Sequence, residues 1–284
     1  MILRKKYEDY FREYPGGLRI DHIIGLVDPF IYKTSEKILP DNSGRIYSQE
    51  GKYKKETVEE YANIITKIIL PAAEKFGISK DSIICEDLGE PNLPTQKVME
   101  HLQLPGLAVT QFNYRGSLTP QKNTIMIGSH DNKSFLEFVD DFFKRAGSEE
   151  FLQKTQYLME DTSHKGATQA DKDWYLGEIR ADKKKFISAS FAELFASPAK
   201  RIQIFFTDFF GIPQTYNKPG TTHGNWALRL GENFEKDYYK AVSEGKAPNF
   251  AHAIATAIRH RGLSEGNENL LKRLDYSAKI LAEA

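Results

Sequence analysis

The sequence predicts an α/β fold built on a parallel sheet. Five short apolar runs alternate with helical patterns, and no internal repeat or low-complexity linker divides the 284 residues. Several of these runs also end in acidic residues close to a glycine; the clearest are residues 17–25, 82–89 and 123–132. Because the carboxyl ends of parallel strands meet on the functional face of such folds, we expect these acids to converge.

The composition excludes several classes of protein. Lys plus Arg equals Asp plus Glu at 39 each, so no global field would attract nucleic acid or an anionic membrane. The chain has no apolar stretch of about 18 residues and no secretory signal at its N-terminus. We therefore expect a cytoplasmic protein with neither a nucleic-acid nor a membrane partner.

The cysteine and histidine content indicates no metal site. Cys85 is the only cysteine, which excludes an internal disulfide, and we expect it to be an inert hydrophobic side chain facing away from Glu86. The histidines are not spaced as metal ligands. No metal and no cofactor is therefore predicted.

The elements of the first part of the chain follow from local patterns. Aromatic residues at helical spacing predict a helix over residues 1–14, which Pro15-Gly16-Gly17 ends. A strand follows, and then a long Pro-, Gly-, Ser- and Asn-rich excursion over residues 28–53. One apolar stripe predicts a helix over about 56–76, with a kink at Pro71 near its end.

The second part alternates in the same way. We expect strands at residues 83–86, 107–114, 125–129 and 201–211, and a short helix at 95–102. Residues 133–197 read as charged helices, and helix returns from about residue 232.

The first acid-ended strand carries an ion pair. Arg19 and Asp21 fall on one face of the strand, so that the guanidinium keeps the carboxylate ionised. Taken alone, Arg19-Ile20-Asp21 fits a structural ion pair that closes a loop. The recurrence of acids at the ends of two further strands favours a carboxylate site instead.

Four motifs in order resemble one family. They are Leu18-Arg19-Ile20-Asp21-His22, Glu86-Asp87-Leu88-Gly89, His130-Asp131-Asn132, and Asn217-Lys218-Pro219-Gly220-Thr221 with Gly224-Asn225-Trp226. They are similar to the motifs of the 4-alpha-glucanotransferases, the amylomaltase or disproportionating-enzyme family of glycoside hydrolase family 77. The resemblance implies a (β/α)8 TIM barrel of the glycoside hydrolase type, of which this chain would hold strands four to eight as residues 1–284 of a single catalytic domain.

The resemblance also implies the catalytic roles. Asp21 would be the nucleophile and Glu86 the general acid/base of a retaining mechanism, which needs two carboxyl groups about 5 to 5.5 Å apart. The residues agree, because Asp21 has a cation on its own face whereas Glu86 follows an apolar run and has none within two residues. The alternative is that Asp87 is the functional acid and Glu86 merely ends a strand.

Other motif residues would bind the sugar. By resemblance, Asp131 and His130 bind hydroxyls of one sugar, Phe112 stacks in the groove, and Arg19 and Asn217 line the site. Read alone, His130-Asp131-Asn132 fits a turn and helix cap, and Phe112 fits a barrel core.

The sequence departs from the family pattern at several positions. Thr215-Tyr216-Asn217 stands where the family usually has Arg-Met-Asn, and Thr207-Asp208 replaces a usual Gln-Asp. A usual Thr and a Gly-Trp pair give way to Lys133-Ser134 and Glu137-Phe138. The acids are intact, so we expect the chemistry to be kept and the sugar preference to be altered.

The predicted activity is transfer of α-1,4-glucan segments between maltooligosaccharides, and the same site with water as acceptor would hydrolyse them. Because strands one to three are missing, the alternative is a catalytically silent half-barrel that binds α-glucan or a complementing chain. The same absence would expose strand edges, so we expect the isolated chain to aggregate or dimerise and to show little activity, and a chain supplying strands one to three is the predicted partner.

Overall fold

The computed structural model describes residues 2–31, 46–47, 55–89, 92–112 and 114–283. The chain divides into two compact units. Unit 1 comprises Met1–Leu107 and Lys122–Thr124, and unit 2 comprises Ala108–Gln121 and Ile125–Ala284.

The helices and strands of unit 1 lie close to the predicted elements. They are α1 (Ile2–Glu13), β1 (Leu18–Ile20), α2 (Ile24–Val27), β2 (Phe30–Ile31), β3 (Ile46–Tyr47), α3 (Val58–Tyr61), α4 (Leu70–Lys75), β4 (Ile83–Cys85) and α5 (Leu93–Leu102). Their buried side chains form one core centred on Phe11, Ile23, Ile65, Ile69 and Ile83.

Unit 1 is built on a parallel pair of strands. β1 pairs with β4 so that Leu18 lies opposite Ile83 and Ile20 opposite Cys85. Gly17 makes this approach possible: its φ is +126°, and a Cβ there would lie 2.4 Å from the carbonyl oxygen of Ser82. Gly17 therefore belongs to the segment that ends α1 and also allows β1 and β4 to approach each other closely.

The helix predicted over residues 56–76 is interrupted before its proline. Thr57 and Glu60 form a reciprocal cap at the start, and a π-helical turn, Ile65–Ile69, separates α3 from α4. Pro71 lies just after this turn. Since proline has no N–H to donate to the preceding turn, the wider turn relieves the clash that a straight helix would have there.

Two boundaries in unit 1 differ from the prediction. α5 begins at Leu93 rather than at residue 95, because the Asn92 side chain accepts the N–H of Thr95 at 3.0 Å and caps the helix. Of the excursion over residues 28–53, the described part contains the antiparallel pair of β2 and β3. Residues 32–45 and 48–53 lie outside the described residues.

Unit 2 combines a small sheet with a helical core. Its elements are β5 (Leu107–Val109), β6 (Thr124–Met126), α6 (Phe135–Phe143), α7 (Glu149–Thr162), α8 (Gln169–Ala181), α9 (Lys183–Ala196), β7 (Arg201–Ile202), α10 (Phe206–Phe209), α11 (Phe234–Ser243), α12 (Phe250–His260) and α13 (Glu268–Glu283); the first residues of β5 and β6 are grouped with unit 1. The predicted helical character of residues 133–197 and of the chain from about residue 232 is confirmed.

The sheet has the order β5, β6, β7. The N–H groups of Lys200 and Gln203 donate to the carbonyls of Gln121 and Ile125. The residue numbers of donor and acceptor thus increase in the same direction, as they do between parallel strands. The α/β class is therefore confirmed. The core of unit 2 is strongly aromatic, with Phe135, Phe142, Phe186 and Phe191 fully or almost fully buried.

The strand predicted over residues 201–211 is wrong beyond its start. β7 covers only Arg201–Ile202, and residues 206–209 form α10, with the N–H groups of Phe209 and Phe210 bonded to the carbonyls of Phe205 and Phe206. An unbroken apolar run does not distinguish a buried strand from a buried helix. In α10 the carboxylate of Asp208 accepts the N–H of Phe135 at 2.7 Å, which ties this turn to the start of α6.

Two other strands are shorter or shifted. β5 ends at Val109 and gives way to a 3-10 turn, Thr110–Phe112, instead of running to residue 114. β6 covers 124–126 rather than 125–129. Among the described residues, no helix is both long and apolar enough to cross a bilayer.

Candidate active site

The pairing of β1 with β4 places Asp21 beside Glu86. Each follows a strand-end residue of the register, Ile20 and Cys85 respectively. The N–H of Glu86 donates to the carbonyl of Ile20 at 2.8 Å, and the N–H of Ile23 donates to the carbonyl of Glu86 at 3.0 Å. The two predicted catalytic acids therefore leave neighbouring parallel strands at the same end; with Arg19 they are called here the strand-end pair.

The Glu86 carboxylate is held by main-chain donors. The N–H of His22 donates to Oε2 and the N–H of Leu88 donates to Oε1, both at 2.8 Å. A carboxylate oxygen has two lone pairs, so these bonds fix the orientation of the group and still leave a position for a proton. The remaining lone pairs of Glu86 are therefore held in fixed directions.

Asp21 is held on one side only. Nη1 of Arg19 donates to Oδ1 of Asp21 at 2.5 Å, which confirms the predicted ion pair. The Asp21 side chain is 69% exposed, so the carboxylate is open to a ligand. An exposed ion pair contributes little to the free energy of unfolding, so stability alone gives little reason for this pair.

His22 adopts an unusual backbone conformation between the two acids. Its φ is +49°, in the left-handed region that residues other than glycine seldom adopt. This conformation turns the His22 N–H toward Glu86. Such strain clusters at functional sites, and no sequence pattern would have revealed it.

Asp87, the alternative acid, has a packing role. Its Oδ1 accepts the N–H of Leu107 at 2.8 Å, and a Cβ at Gly106 would lie 2.4 Å from its Oδ2. Partial loss of water raises the pKa of Asp87, although the hydrogen bond from Leu107 opposes the shift. The carboxyl is committed to the turn before β5.

In unit 2, Asp131 is held by a side chain distant in sequence. Nδ2 of Asn217 donates to Oδ1 of Asp131 at 2.5 Å, and Nε2 of His130 lies 3.4 Å from Oδ2. Asn217 is buried. The structure thus brings together three predicted sugar-binding residues from two motifs separated by 86 positions.

Aromatic rings surround these three residues. The His130 ring lies 5.5 Å from that of Trp226, and Tyr216 meets Trp226 edge to face at 5.6 Å. Burial, followed by the charges of Asp208 and Asp131, raises the pKa of Tyr216 to about 12. His130, Asp131, Tyr216, Asn217 and Trp226 are called here the aromatic cluster.

Trp226 and Tyr216 were not among the predicted site residues. Trp226 is 54% exposed and has φ of +61°, and its N–H donates to the carbonyl of Tyr216 at 2.8 Å. The motif containing Asn225-Trp226 was the available signal. Asn225 ties the loop together, since its Oδ1 accepts the N–H of Lys218 at 2.9 Å and its Nδ2 donates to the carbonyl of Thr221 at 3.0 Å.

The alternative interpretation of His130-Asp131-Asn132 was a turn followed by a helix cap. Both features are present, but neither involves the Asp131 carboxylate. Asn132 Oδ1 accepts the N–H of Ser129 at 2.7 Å and closes the turn, while Ser134 caps α6. The partners of the Asp131 carboxylate are Asn217 and His130.

Comparison with known proteins agrees with these features. The family model of glycoside hydrolase family 77, described as 4-alpha-glucanotransferase, matches residues 6–233. The chain belongs to glycoside hydrolase family 77. No curated protein matches it.

Two solved amylomaltases share the fold of this family 77 chain. The amylomaltase from Corynebacterium glutamicum has a TM-score of 0.60 at 15% identity, over 91% of this chain and 37% of that one. The amylomaltase from Streptococcus agalactiae in complex with acarbose has a TM-score of 0.52 at 13% identity, over 86% of this chain and 44% of that one. The chain thus spans less than half the length of either neighbour.

Departures from the family 77 pattern contact one another. The hydroxyl of Thr215 donates to Oε2 of Glu137 at 2.7 Å, and the hydroxyl of Ser134 donates to the same oxygen at 3.0 Å. All three positions differ from the usual family residues. The contact ties the segment before Asn217 to the start of α6, so the substitutions form one connected unit.

The remaining predictions at this family 77 site divide as follows. Phe112 is 59% exposed, so a place in the core is wrong and its ring is available for stacking. Cys85 is buried, and burial together with the charge of Asp87 raises the pKa of its thiol to about 12, which confirms an inert side chain. Within the described parts of the chain, no group of three or more His, Cys, Asp or Glu side chains could hold a metal ion.

Proposed function

We propose that this chain provides the catalytic acids of a retaining 4-alpha-glucanotransferase that acts on maltooligosaccharides and α-1,4-glucan. The observation that carries the proposal is the strand-end pair, in which Asp21, with an exposed carboxylate, and Glu86, with a carboxylate oriented by two main-chain N–H groups, leave neighbouring parallel strands at the same end. Membership of glycoside hydrolase family 77 supports the substrate class. The structural neighbour complexed with acarbose is consistent with it.

The first step would transfer the donor glucan to Asp21. An oxygen of Asp21 attacks the anomeric carbon, the glycosidic C–O bond breaks, and protonated Glu86 gives its proton to the leaving 4-oxygen. Arg19 holds the other oxygen of Asp21, so one lone pair is directed away from the ion pair. The product is a glucanyl ester on Asp21 and a shortened glucan.

The second step would release the glucan to an acceptor. Glu86, now ionised, takes the proton of the acceptor's 4-hydroxyl while that oxygen attacks the anomeric carbon and the ester bond to Asp21 breaks. Both residues return to their starting protonation states. With water in place of the acceptor, the same sequence is hydrolysis.

The aromatic cluster would bind sugar rings. Asp131 can accept hydrogen bonds from two hydroxyls through the lone pairs that Asn217 leaves open. The exposed faces of Trp226 and of Phe112 are suited to packing on the apolar faces of glucose. We assign substrate binding to Arg19, His130, Phe112 and Asn217, with Asp131 as the third carboxylate.

We also propose that residues 1–284 correspond to the C-terminal part of a single (β/α)8 catalytic domain, with β1, β4, β5, β6 and β7 as strands four to eight. The partial coverage of both amylomaltase neighbours supports this correspondence. A second chain supplying strands one to three would then be a partner.

The same partial coverage motivates a second function, binding of α-glucan or of a complementing chain without turnover. One experiment separates it from the first. The protein is incubated with maltotriose, and the products are resolved by length, with Asp21→Asn as the matched control. Longer oligosaccharides together with glucose support transfer, and shorter products alone support hydrolysis. Maltotriose that binds but is not converted supports binding without turnover.

A further inference from the structure

A surface cleft of about 350 Å³ lies within unit 2, between the end of α7 and the helices α8, α9 and α12. It shares no residue with the strand-end pair or the aromatic cluster. Its side chains are presented at helical spacings: Trp174 and Glu178 are four residues apart on α8, and His252 and Thr256 are four apart on α12. Each helix thus lines the cleft along one of its faces.

The cleft offers an aromatic platform. The Trp174 side chain is 66% exposed, and within the described residues its indole N–H has no hydrogen-bond partner. Beside it the Tyr175 and Thr162 hydroxyls lie 3.1 Å apart, and burial raises the pKa of Tyr175. The cleft thus presents an exposed indole, and the next residue of α8 contributes a hydrogen-bonded phenol.

The charged groups of the cleft balance. Asp171 completes the reciprocal cap of α8 by accepting the main-chain N–H of Thr168 at 2.9 Å, and Arg259 pairs with Asp275 at 2.6 Å. Within the part of the chain that the structure describes, the side chains of Glu178 and Lys185 form neither a hydrogen bond nor an ion pair. This acid and base together carry no net charge that would select an ion, and they offer a neutral ligand one hydrogen-bond acceptor and one donor group.

The imidazole of His252 extends the same pattern. Loss of water lowers its pKa, and the charges of Lys185 and Arg259 lower it further. A neutral imidazole offers one donor and one acceptor, which is the pairing that a sugar hydroxyl can satisfy.

We propose that the Trp174 cleft is a non-catalytic binding site for a neutral α-glucan segment. Trp174 packs on the apolar face of one glucose, while Glu178, Lys185 and His252 hydrogen-bond to its hydroxyls. The site goes beyond the proposed reaction, although the choice of glucan among neutral sugars rests on it. It would hold one end of a polymeric substrate on the protein.

The sequence supplies its own reporters, because Trp174 and Trp226 are the only two tryptophans. The Trp226→Phe variant leaves Trp174 as the single indole fluorophore, and Trp174→Phe leaves Trp226. Each variant is titrated with maltotriose, with excitation where tyrosine does not absorb. We expect a saturable change in both variants, with separate affinities for the two sites.

Side-chain variants in the Trp226→Phe background sharpen the test. Lys185→Ala and Glu178→Ala should each weaken the Trp174 response to maltotriose by about tenfold, as loss of one hydrogen bond to a charged group does. Lys172→Ala, on α8 but outside the cleft, is the matched control and should leave the affinity unchanged.

The outcomes separate this site from the proposed reaction. A silent Trp174 with a responsive Trp226 overturns the cleft inference and leaves the proposed function standing. A responsive Trp174 with a silent Trp226 supports the cleft and removes the sugar-binding role of the aromatic cluster. A Trp174 response to inorganic phosphate as strong as that to maltotriose would overturn the assignment to a neutral sugar.

Discussion

The strand-end pair and the aromatic cluster hold their carboxylates in different ways. Glu86 is oriented by two main-chain N–H groups, those of His22 and Leu88, which lie in the segments after the paired strands β1 and β4. Asp131 is oriented by the side chain of Asn217, 86 positions away. A main-chain donor remains after most substitutions, whereas a side-chain donor is lost with a single one. The orientation of Glu86 should therefore tolerate substitution better than the orientation of Asp131.

The departures from the family pattern follow this difference. Thr215, which directly precedes Tyr216 of the aromatic cluster, and Ser134 both donate to the carboxylate of Glu137. The motifs around Asp21 and Glu86 are intact in the sequence. The departures thus lie in the region held by side chains, and the proposed catalytic acids lie in the region held by the main chain.

The largest expected effect comes from removing Asp21, the proposed nucleophile. In an enzyme completed with strands one to three, Asp21→Ala should lower the rate of maltotriose turnover by on the order of 10⁴-fold or more at every pH, because the ester of the proposed mechanism forms on this carboxylate. Initial rates of product formation measure this. Turnover within tenfold of the natural rate would remove Asp21 from the reaction.

Glu86→Ala should have a smaller and substrate-dependent effect. We expect a loss of about 10² to 10⁴ on maltotriose, and much less on α-glucosyl fluoride, whose leaving group needs no proton. The matched control is Asp87→Ala, which should act mainly through stability because Asp87 supports the turn at Gly106. Full activity of Glu86→Ala on maltotriose would break the assignment and redirect it to Asp87.

Asp208 shows how burial changes the pKa of a carboxylate that accepts a main-chain N–H. Like Glu86 it accepts a main-chain N–H, from Phe135, but it is buried, and desolvation raises its pKa from 3.8 to about 6. The native state therefore binds the proton more tightly than the unfolded chain does. The stability this contributes is present below about pH 4 and is lost as the pH rises through about 6, a change of about 2 to 3 kcal/mol.

Asp208→Asn keeps an acceptor for Phe135 and removes the titration. Urea unfolding between pH 4 and pH 7 should show the variant gaining about 2 to 3 kcal/mol relative to the natural chain as the pH rises. Asp237→Asn, an exposed carboxylate on α11, is the control and should follow the pH curve of the natural chain. A pH-independent difference for Asp208→Asn would mean that Asp208 is not desolvated in solution.

The same contrast explains how far the sequence could predict the structure. The order of the elements and the placement of Asp21 and Glu86 followed from apolar runs and glycines, because these act within a few residues. The strand predicted over residues 201–211 was wrong because its apolar run fits a buried helix equally well, and the bond from Phe135 to Asp208 in α10 joins positions 73 apart. Trp226, His22 and the contact of Thr215 with Glu137 depend on tertiary packing or on φ values that no local pattern specifies.

Asn217→Ala should expose the weakness of a side-chain donor. Loss of the bond to Asp131 frees that carboxylate to move, and we expect the maltotriose affinity reported by Trp226 fluorescence to fall about tenfold, with about 1 kcal/mol lost in unfolding free energy. Asn233→Ala, at an exposed asparagine without a side-chain cap, is the matched control. An unchanged affinity would show that Asp131 is oriented by something other than Asn217.

The smallest effect should come from His22, and it tests the main-chain half of the comparison directly. His22→Gly keeps the N–H that Glu86 accepts and removes the cost of a side chain at φ of +49°, about 1 to 2 kcal/mol. Glycine also loses more conformational freedom on folding, by about 0.5 to 1 kcal/mol, so the two terms nearly cancel. Urea unfolding should show a change below about 1 kcal/mol, whereas His22→Val, a β-branched residue forced into the same conformation, should destabilise by more than that. If His22→Gly costs more than about 2 kcal/mol, the imidazole rather than the N–H supports Glu86, and the strand-end pair depends on side chains just as the aromatic cluster does.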